Sequence, residues 1–152
     1  PGTGTISHLI SEAWQKSSNV KFTHVPFRGM AQAMPDLLGG RIDMYMGSGG
    51  APEGVLAAAA LKCMGGQMWG RLMFRNDDER GRAAKAGITD LNRIYTRDEM
   101  VTADVIFSAT GVTNGSIVQG LRREPHFIET ETILMRSKTG SVRRMFYRNP
   151  IR

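Results

Sequence analysis

Residues 40–63 read GRIDMYMGSGGAPEGVLAAAALKC, and this stretch decides the fold class. Ile42, Met44 and Met46 alternate at strand spacing, so Ile42–Met46 reads as a strand. Gly47-Ser48-Gly49-Gly50 then interrupts it, because glycine reaches turn conformations that other residues avoid. Ala51-Pro52-Glu53 opens a helix with proline in its first turn, where the missing N–H is not needed. The alanine-rich run Val55–Cys63 continues that helix until Gly65–Gly66 stops it. Strand, glycine turn and helix in succession form the repeating unit of α/β folds.

The alternation extends in both directions. On the N-terminal side, Ile6, Leu9, Ile10, Ala13 and Trp14 fall on one face of a helix that Thr3 or Thr5 can cap. Val20–Phe27 reads as a strand, and Met30, Ala33, Met34, Leu37 and Leu38 as a second helix, with Pro35 at an awkward position. On the C-terminal side come a strand over Gln67–Phe74, a helix from Asn76 to Gly87 and a capping box at Thr96-Arg97-Asp98-Glu99. Val105–Ala109 reads as a buried strand leading into a loop at Thr110–Gly115. Ile128–Arg136 and Val142–Arg148 form a hairpin around Ser137–Gly140. The expectation is an α/β fold over residues 1–152. It is a single three-layer sandwich with a central mixed, largely parallel sheet and a C-terminal β-hairpin. The first helix should dock its apolar face on the strands at 20–27, 42–46 and 67–74. Each large side chain so buried is worth about 1.5–3 kcal/mol.

Composition narrows the functional classes. The chain has 152 residues, 41% hydrophobic and 22% charged, which excludes a disordered segment. No apolar run approaches the roughly 20 residues that span a bilayer, and no leader pattern opens the chain. One cysteine, Cys63, excludes a disulfide framework and a cysteine-rich zinc site. These features lead to the expectation of a cytoplasmic protein. Of the net charge of +6, +5 lies from Leu121 onward, where eight basic residues face three acidic ones. No RNA-binding signature accompanies Phe146 and Tyr147 among them, so this segment reads as the solvated face of a hairpin.

Two resemblances to known families rest on particular motifs. Gly49-Gly50-Ala51-Pro52-Glu53-Gly54-Val55, LKCMGGQMWGRL at Leu61–Leu72, Asp90-Leu91-Asn92-Arg93-Ile94-Tyr95, IFSATGVTNG at Ile106–Gly115 and MRSKTGSVRR at Met135–Arg144 resemble the C-terminal region of class II fructose-1,6-bisphosphatases. Gly2-Thr3-Gly4-Thr5, Ser7-His8-Leu9, Thr23–Gly29 and Asp36–Asp43 resemble instead the solute-binding receptors of tripartite tricarboxylate transporters. Together they lead to the expectation of a recombined chimera. Residues 1–44 are then receptor-like, residues 45–152 are bisphosphatase-like, and no catalytic site is intact. The alternatives are a fragment of a metal-dependent fructose-1,6-bisphosphatase and a weak small-anion binding module.

The resemblance to the bisphosphatases implies that Glu53 is similar to a ligand of a catalytic Mg²⁺ or Mn²⁺, and that the backbone at Gly50 touches substrate. A hard cation needs several oxygen ligands, and no further carboxylate cluster accompanies Glu53, so no cofactor is expected here. Without partners, Glu53 is a first-turn carboxylate that gains about 0.3–1 kcal/mol from the helix dipole. The turn at Gly49 and Gly50 opens a helix whose free amides suit a phosphate or sulfate. Thr3 and Thr5 mark a second such start, which the receptor resemblance links to carboxylate binding. No catalytic residue and no specific partner are expected, beyond an anion or a second copy at an exposed sheet edge. His8, His24 and His126 have no ligand spacing and read as structural, Cys63 as a buried thiol. Met30, Met34, Met44, Met46, Met64, Met68 and Met73 read as core packing.

Overall fold

The computed structural model describes residues 3–27, 33, 36–37, 40–115 and 117–151, without the side chains of Ile6 and Ser7. Along the chain lie α1 (Ile6–Ser18), α2 (Ala51–Met64), β1 (Trp69–Arg71), α3 (Asp77–Lys85), β2 (Ile94–Thr96), α4 (Arg97–Met100), β3 (Ile106–Thr110), β4 (Arg122–Arg123), β5 (Phe127–Arg136) and β6 (Ser141–Pro150). They distribute over two compact units. The first comprises Pro1–Gly49, Thr110–Thr132 and Phe146–Arg152, and the second comprises Gly50–Ala109 and Ile133–Met145.

In the second unit each helix carries its own start and stop. Gly50 caps α2 in extended conformation, and Gly65 at φ 79° ends it with its N–H on the Leu61 carbonyl. Ala58 and Cys63 are its buried positions. Asn76 caps α3 by accepting the Glu79 N–H at 3.0 Å. Asp77, Asp78 and Glu79 fill the first turn of that helix, and Arg82 and Lys85 the last, matching its dipole. Thr96 and Glu99 close a reciprocal capping box on α4. β1 and β2 pair antiparallel, with Trp69 opposite Thr96, Gly70 opposite Tyr95 and Arg71 opposite Ile94. A Cβ on Gly70 would meet the Met100 methyl at 2.9 Å, so the ribbon's inner face is filled from α4.

In the first unit Thr5 caps α1 by accepting the His8 N–H, and Asn19 ends it in the left-handed region at φ 52°. The face of α1 that is covered is His8, Ser11, Glu12 and Gln15. Ser11 is buried and donates to the Met46 sulfur at 3.7 Å, while Gln15 accepts the Phe22 N–H at 2.9 Å. β4 and β5 pair antiparallel, Arg122 opposite Glu129 and Arg123 opposite Ile128. β5, whose residues from Ile133 onward belong to the second unit, also pairs with β3 and with β6.

The α/β class and the C-terminal hairpin stand, and the capped helix starts at Thr5, Asn76 and Thr96 fall where the sequence puts them. The largely parallel sheet does not: the pairs β1–β2 and β4–β5 are antiparallel. Strand–strand pairing in parallel needs a crossover that returns to the same sheet. Residues 20–27 and 42–46, which should anchor it, carry no ladder. The strand expected at 67–74 shrinks to three residues. The apolar stripe of α1 therefore has no sheet to cover it, and Leu9, Ile10 and Trp14 are exposed. Met44, Met64 and Met73 are likewise exposed rather than packed in a core. The second predicted helix, with Met30 and Met34, lies outside the described residues except at Ala33, Asp36 and Leu37. Among the described residues, no helix is long and apolar enough to cross a membrane.

Candidate functional site

The first candidate is the start of α2. Pro52 occupies its first turn, and Glu53 is the acidic residue there. The Gly54 N–H closes the first helical bond onto the Gly50 carbonyl at 3.0 Å. Earlier amides of the turn have no intrahelical acceptor and point out along the axis, the arrangement that receives anions. The Glu53 carboxylate folds back over Gly50 and fills the space that a Cβ there would need. A side chain at position 50 would push this carboxylate aside, which the flexible, exposed Glu53 side chain allows. At Gly49 no atom lies within 4 Å of where a Cβ would stand. Glu53 itself is exposed.

Thr3 and Thr5 belong to the first unit. The Thr5 hydroxyl is engaged as the α1 cap, at 3.4 Å from the His8 N–H, and Thr3 is exposed. His8 accepts the Gly4 N–H on Nδ1 at 3.0 Å and stacks on His24 with ring centroids 4.3 Å apart. Cys63 is buried, with its sulfur 4.0 Å from the Val105 carbonyl oxygen. Among the described residues no three His, Cys, Asp or Glu side chains gather closely enough to hold a metal ion.

A second candidate lies in the first unit, among residues that the sequence motifs do not mark. It is a cleft of about 490 Å³ lined by Gln119, Arg122, Glu129, Glu131, Phe146 and Arg148, among others. Arg148 donates to Glu129 Oε1 at 2.6 and 2.9 Å, and Arg122 donates to the other oxygen of the same carboxylate. These hydrogen bonds, Arg148 first, hold the Glu129 carboxyl below the ordinary carboxylate range. The Arg148 guanidinium also covers the Phe127 ring at 4.3 Å. Glu131 is buried and accepts the Gln119 N–H at 2.6 Å on Oε2, while its carbonyl accepts the Gly111 N–H at 3.0 Å. Two arginines of the basic C-terminal segment are therefore held by an internal carboxylate. The signal for this was the cross-strand spacing of Arg122, Glu129 and Arg148, which needs the register to be seen.

The comparisons with known proteins fall on the bisphosphatase side. A family model described as "Bacterial fructose-1,6-bisphosphatase, glpX-encoded" matches residues 27–148. The class 2 fructose-1,6-bisphosphatase of Haemophilus influenzae is 37% identical over 118 residues, covering 68% of this chain and 35% of that protein. Fructose-1,6-bisphosphatase 1 class 2 of Escherichia coli K12 is 36% identical over 126 residues, covering 74% and 36%. The chain spans about a third of the length of these curated relatives. The match begins at residue 27, which moves Phe27–Met44 out of the receptor-like portion and into the bisphosphatase family. The chimera reading is not supported.

Proposed function

We propose, on the premise that this chain belongs to the family of bacterial, glpX-encoded fructose-1,6-bisphosphatases, that it is one part of a sugar-bisphosphate phosphatase. In this reading the chain supplies Gly50 and Glu53 to the hydrolytic centre, and the remaining ligands come from outside the matched stretch. The observation that carries it is the start of α2. There, the motif that resembles the family's substrate and metal positions forms an exposed helix N-terminus with Glu53 folded over Gly50.

The family resemblance implies a divalent Mg²⁺ or Mn²⁺. The described residues do not by themselves fit such an ion: they offer one carboxylate at the place, whereas a hard cation takes about six oxygen ligands. What this chain can do at the site is electrostatic and positional. The amides at the start of α2 and the helix dipole stabilise phosphate oxygens, and Pro52 holds the turn in shape.

The experiment is to place this chain in the Escherichia coli relative in exchange for the stretch it matches, and to measure phosphate release from fructose 1,6-bisphosphate with Mn²⁺ or Mg²⁺. The exchanged protein should be active, and Glu53→Gln should reduce its rate by a factor of about 100 or more, at least what outer-shell ligand changes cost. The chain alone should release no phosphate. A rate that is unaffected by Glu53→Gln removes Glu53 from the centre.

A further inference from the structure

We infer that Asn114–Gly115 is a site of spontaneous deamidation, held in check by hydrogen bonds that close the loop around it, so that loop opening sets its rate. Asparagine is a thermolabile side chain, and its conversion needs a following backbone nitrogen that can reach the carboxamide. Of the five asparagines in the chain, Asn114 alone precedes a glycine. Glycine has no Cβ to shield that nitrogen and turns freely about its backbone. Both residues are exposed, so water and hydroxide reach them. Hydroxide takes the Gly115 amide proton, the nitrogen bonds to Asn114 Cγ, and the Cγ–Nδ2 bond breaks. Ammonia leaves with a proton from water, which restores the hydroxide. Water then opens the five-membered imide. Opening at Cγ gives aspartate, and opening at the backbone carbonyl carbon gives isoaspartate, whose main chain is longer by one methylene.

The fold commits both reacting groups to other partners. The Gly115 N–H donates to the Val118 carbonyl at 3.1 Å, and Asn114 Oδ1 accepts the Gly120 N–H at 2.9 Å. Once deprotonated, the Gly115 nitrogen carries its electron pair where the proton was, aimed at the Val118 oxygen. That lobe cannot also point at Asn114 Cγ, so the nitrogen must turn away from Val118 before the ring closes. The carboxamide, tied to Gly120, must swing toward its own following residue. The surrounding chain resists both movements. The Leu121 N–H donates to the Val112 carbonyl at 3.2 Å, and buried Glu131 holds the Gly111 and Gln119 amides at 3.0 and 2.6 Å. Gly120 lies against the backbone of the dipeptide itself. A Cβ there would meet the Thr113 carbonyl carbon at 2.5 Å and the Asn114 nitrogen at 2.6 Å. Aspartate at position 114 still offers an oxygen to the Gly120 N–H, whereas the longer main chain of isoaspartate shifts that oxygen out of register.

The test incubates the intact chain in mildly alkaline buffer, folded and in guanidinium chloride, and follows each asparagine by peptide mass and isoaspartate content. In guanidinium chloride, Asn114 should convert faster than the other four asparagines. In the folded chain its conversion should be slower by about tenfold or more, because reaction then waits on the open population. Hydrogen exchange at the Gly115 amide should be slowed by a similar factor, since it too requires the bond to Val118 to break. Gly120→Ala wedges the loop apart without altering the dipeptide, and should carry the folded rate most of the way to the unfolded one. Equal rates in the two conditions overturn the inference, as does an Asn114 that shows no preference in guanidinium chloride. A protected Gly115 amide with unslowed conversion overturns it as well, and so does a folded Gly120→Ala chain that converts no faster than the parent. Should Gly120→Ala fail to fold, the exchange comparison in the parent chain decides.

Discussion

Helix α1 carries an apolar stripe of Leu9, Ile10 and Trp14 and leaves it exposed; α2 carries no one-sided stripe and buries Ala58 and Cys63. Both start at good caps, Thr5 in one and Gly50 followed by Pro52 in the other. The difference lies in what each helix finds nearby. Lys62 of α2 reaches the Val101 carbonyl at 2.6 Å, and the Cys63 sulfur contacts the Val105 carbonyl. Helix α1 makes polar contacts from the opposite face, Ser11 to Met46 and Gln15 to the Phe22 amide, and from its apolar stripe Trp14 meets the Phe22 ring with centroids 5.6 Å apart. Amphipathic spacing predicts that a helix forms, while its burial depends on a surface made by other parts of the chain.

The largest effect should come from overfilling the covered side of α2. Ala58 is fully buried, so Ala58→Leu inserts three extra carbons where no space exists. A cost of about 1–3 kcal/mol is expected in urea denaturation. Val55→Ala, at a half-exposed position of the same helix, serves as the control and should cost much less. Equal losses from the two would mean that α2 is not seated as described, and the contrast with α1 would vanish.

The same contrast explains what was legible in the sequence. Caps and stops are local: Asn76, Thr96 with Glu99, and Gly65 act within a few residues of themselves, and each stands where the spacing predicts. The hairpin was legible for the same reason, because β5 and β6 are neighbours joined by a short turn. Residues 20–27 and 42–46 have strand composition, yet a strand exists only with a hydrogen-bonded partner, and composition does not name one. The start of α2 was legible as a motif. The Arg122–Glu129–Arg148 cluster was not, since it joins residues 7 and 19 apart through a register that periodicity leaves open.

A smaller effect is expected at the α4 cap. Thr96 accepts the Glu99 N–H at 3.3 Å, and Glu99 accepts the Thr96 N–H at 2.8 Å. Thr96→Ala should cost about 1 kcal/mol, the usual worth of a side-chain cap. The cap also makes a pH prediction. The Thr96 backbone N–H, followed by Arg93 and the Thr96 hydroxyl, lowers the Glu99 carboxyl to about 2. Its unfolded value is about 4.3. A depressed folded pKa means that the contribution is complete above about 4.3 and is lost as pH falls through about 2. The Thr96 amide resonance should therefore hold its position at pH 4 and move only near the lower value. A transition centred near 4.3 would show that the box is open in solution, and that α4 is no better anchored than α1.

The smallest effect concerns the exposed stripe itself, where the sequence and the structure differ most. Spacing alone places Leu9 at the centre of a buried face, and at about 1.5–3 kcal/mol for a fully buried side chain its loss would be large. The structure leaves Leu9 59% exposed, on the side of α1 away from Ser11 and Gln15. Lysine keeps good helix propensity, so Leu9→Lys changes little except exposed surface. It should stay within about 0.5 kcal/mol of the parent chain, as surface changes away from special features usually do. Ser11→Lys is its counterpart on the covered side of the same helix. It forces a charge into a position that is 5% exposed and should be markedly more destabilising. Measured together by urea denaturation, the two variants fix the rotation of α1 about its axis. If Leu9→Lys were the costlier, the apolar stripe would be the covered face after all, and the difference between the two helices would be one of degree.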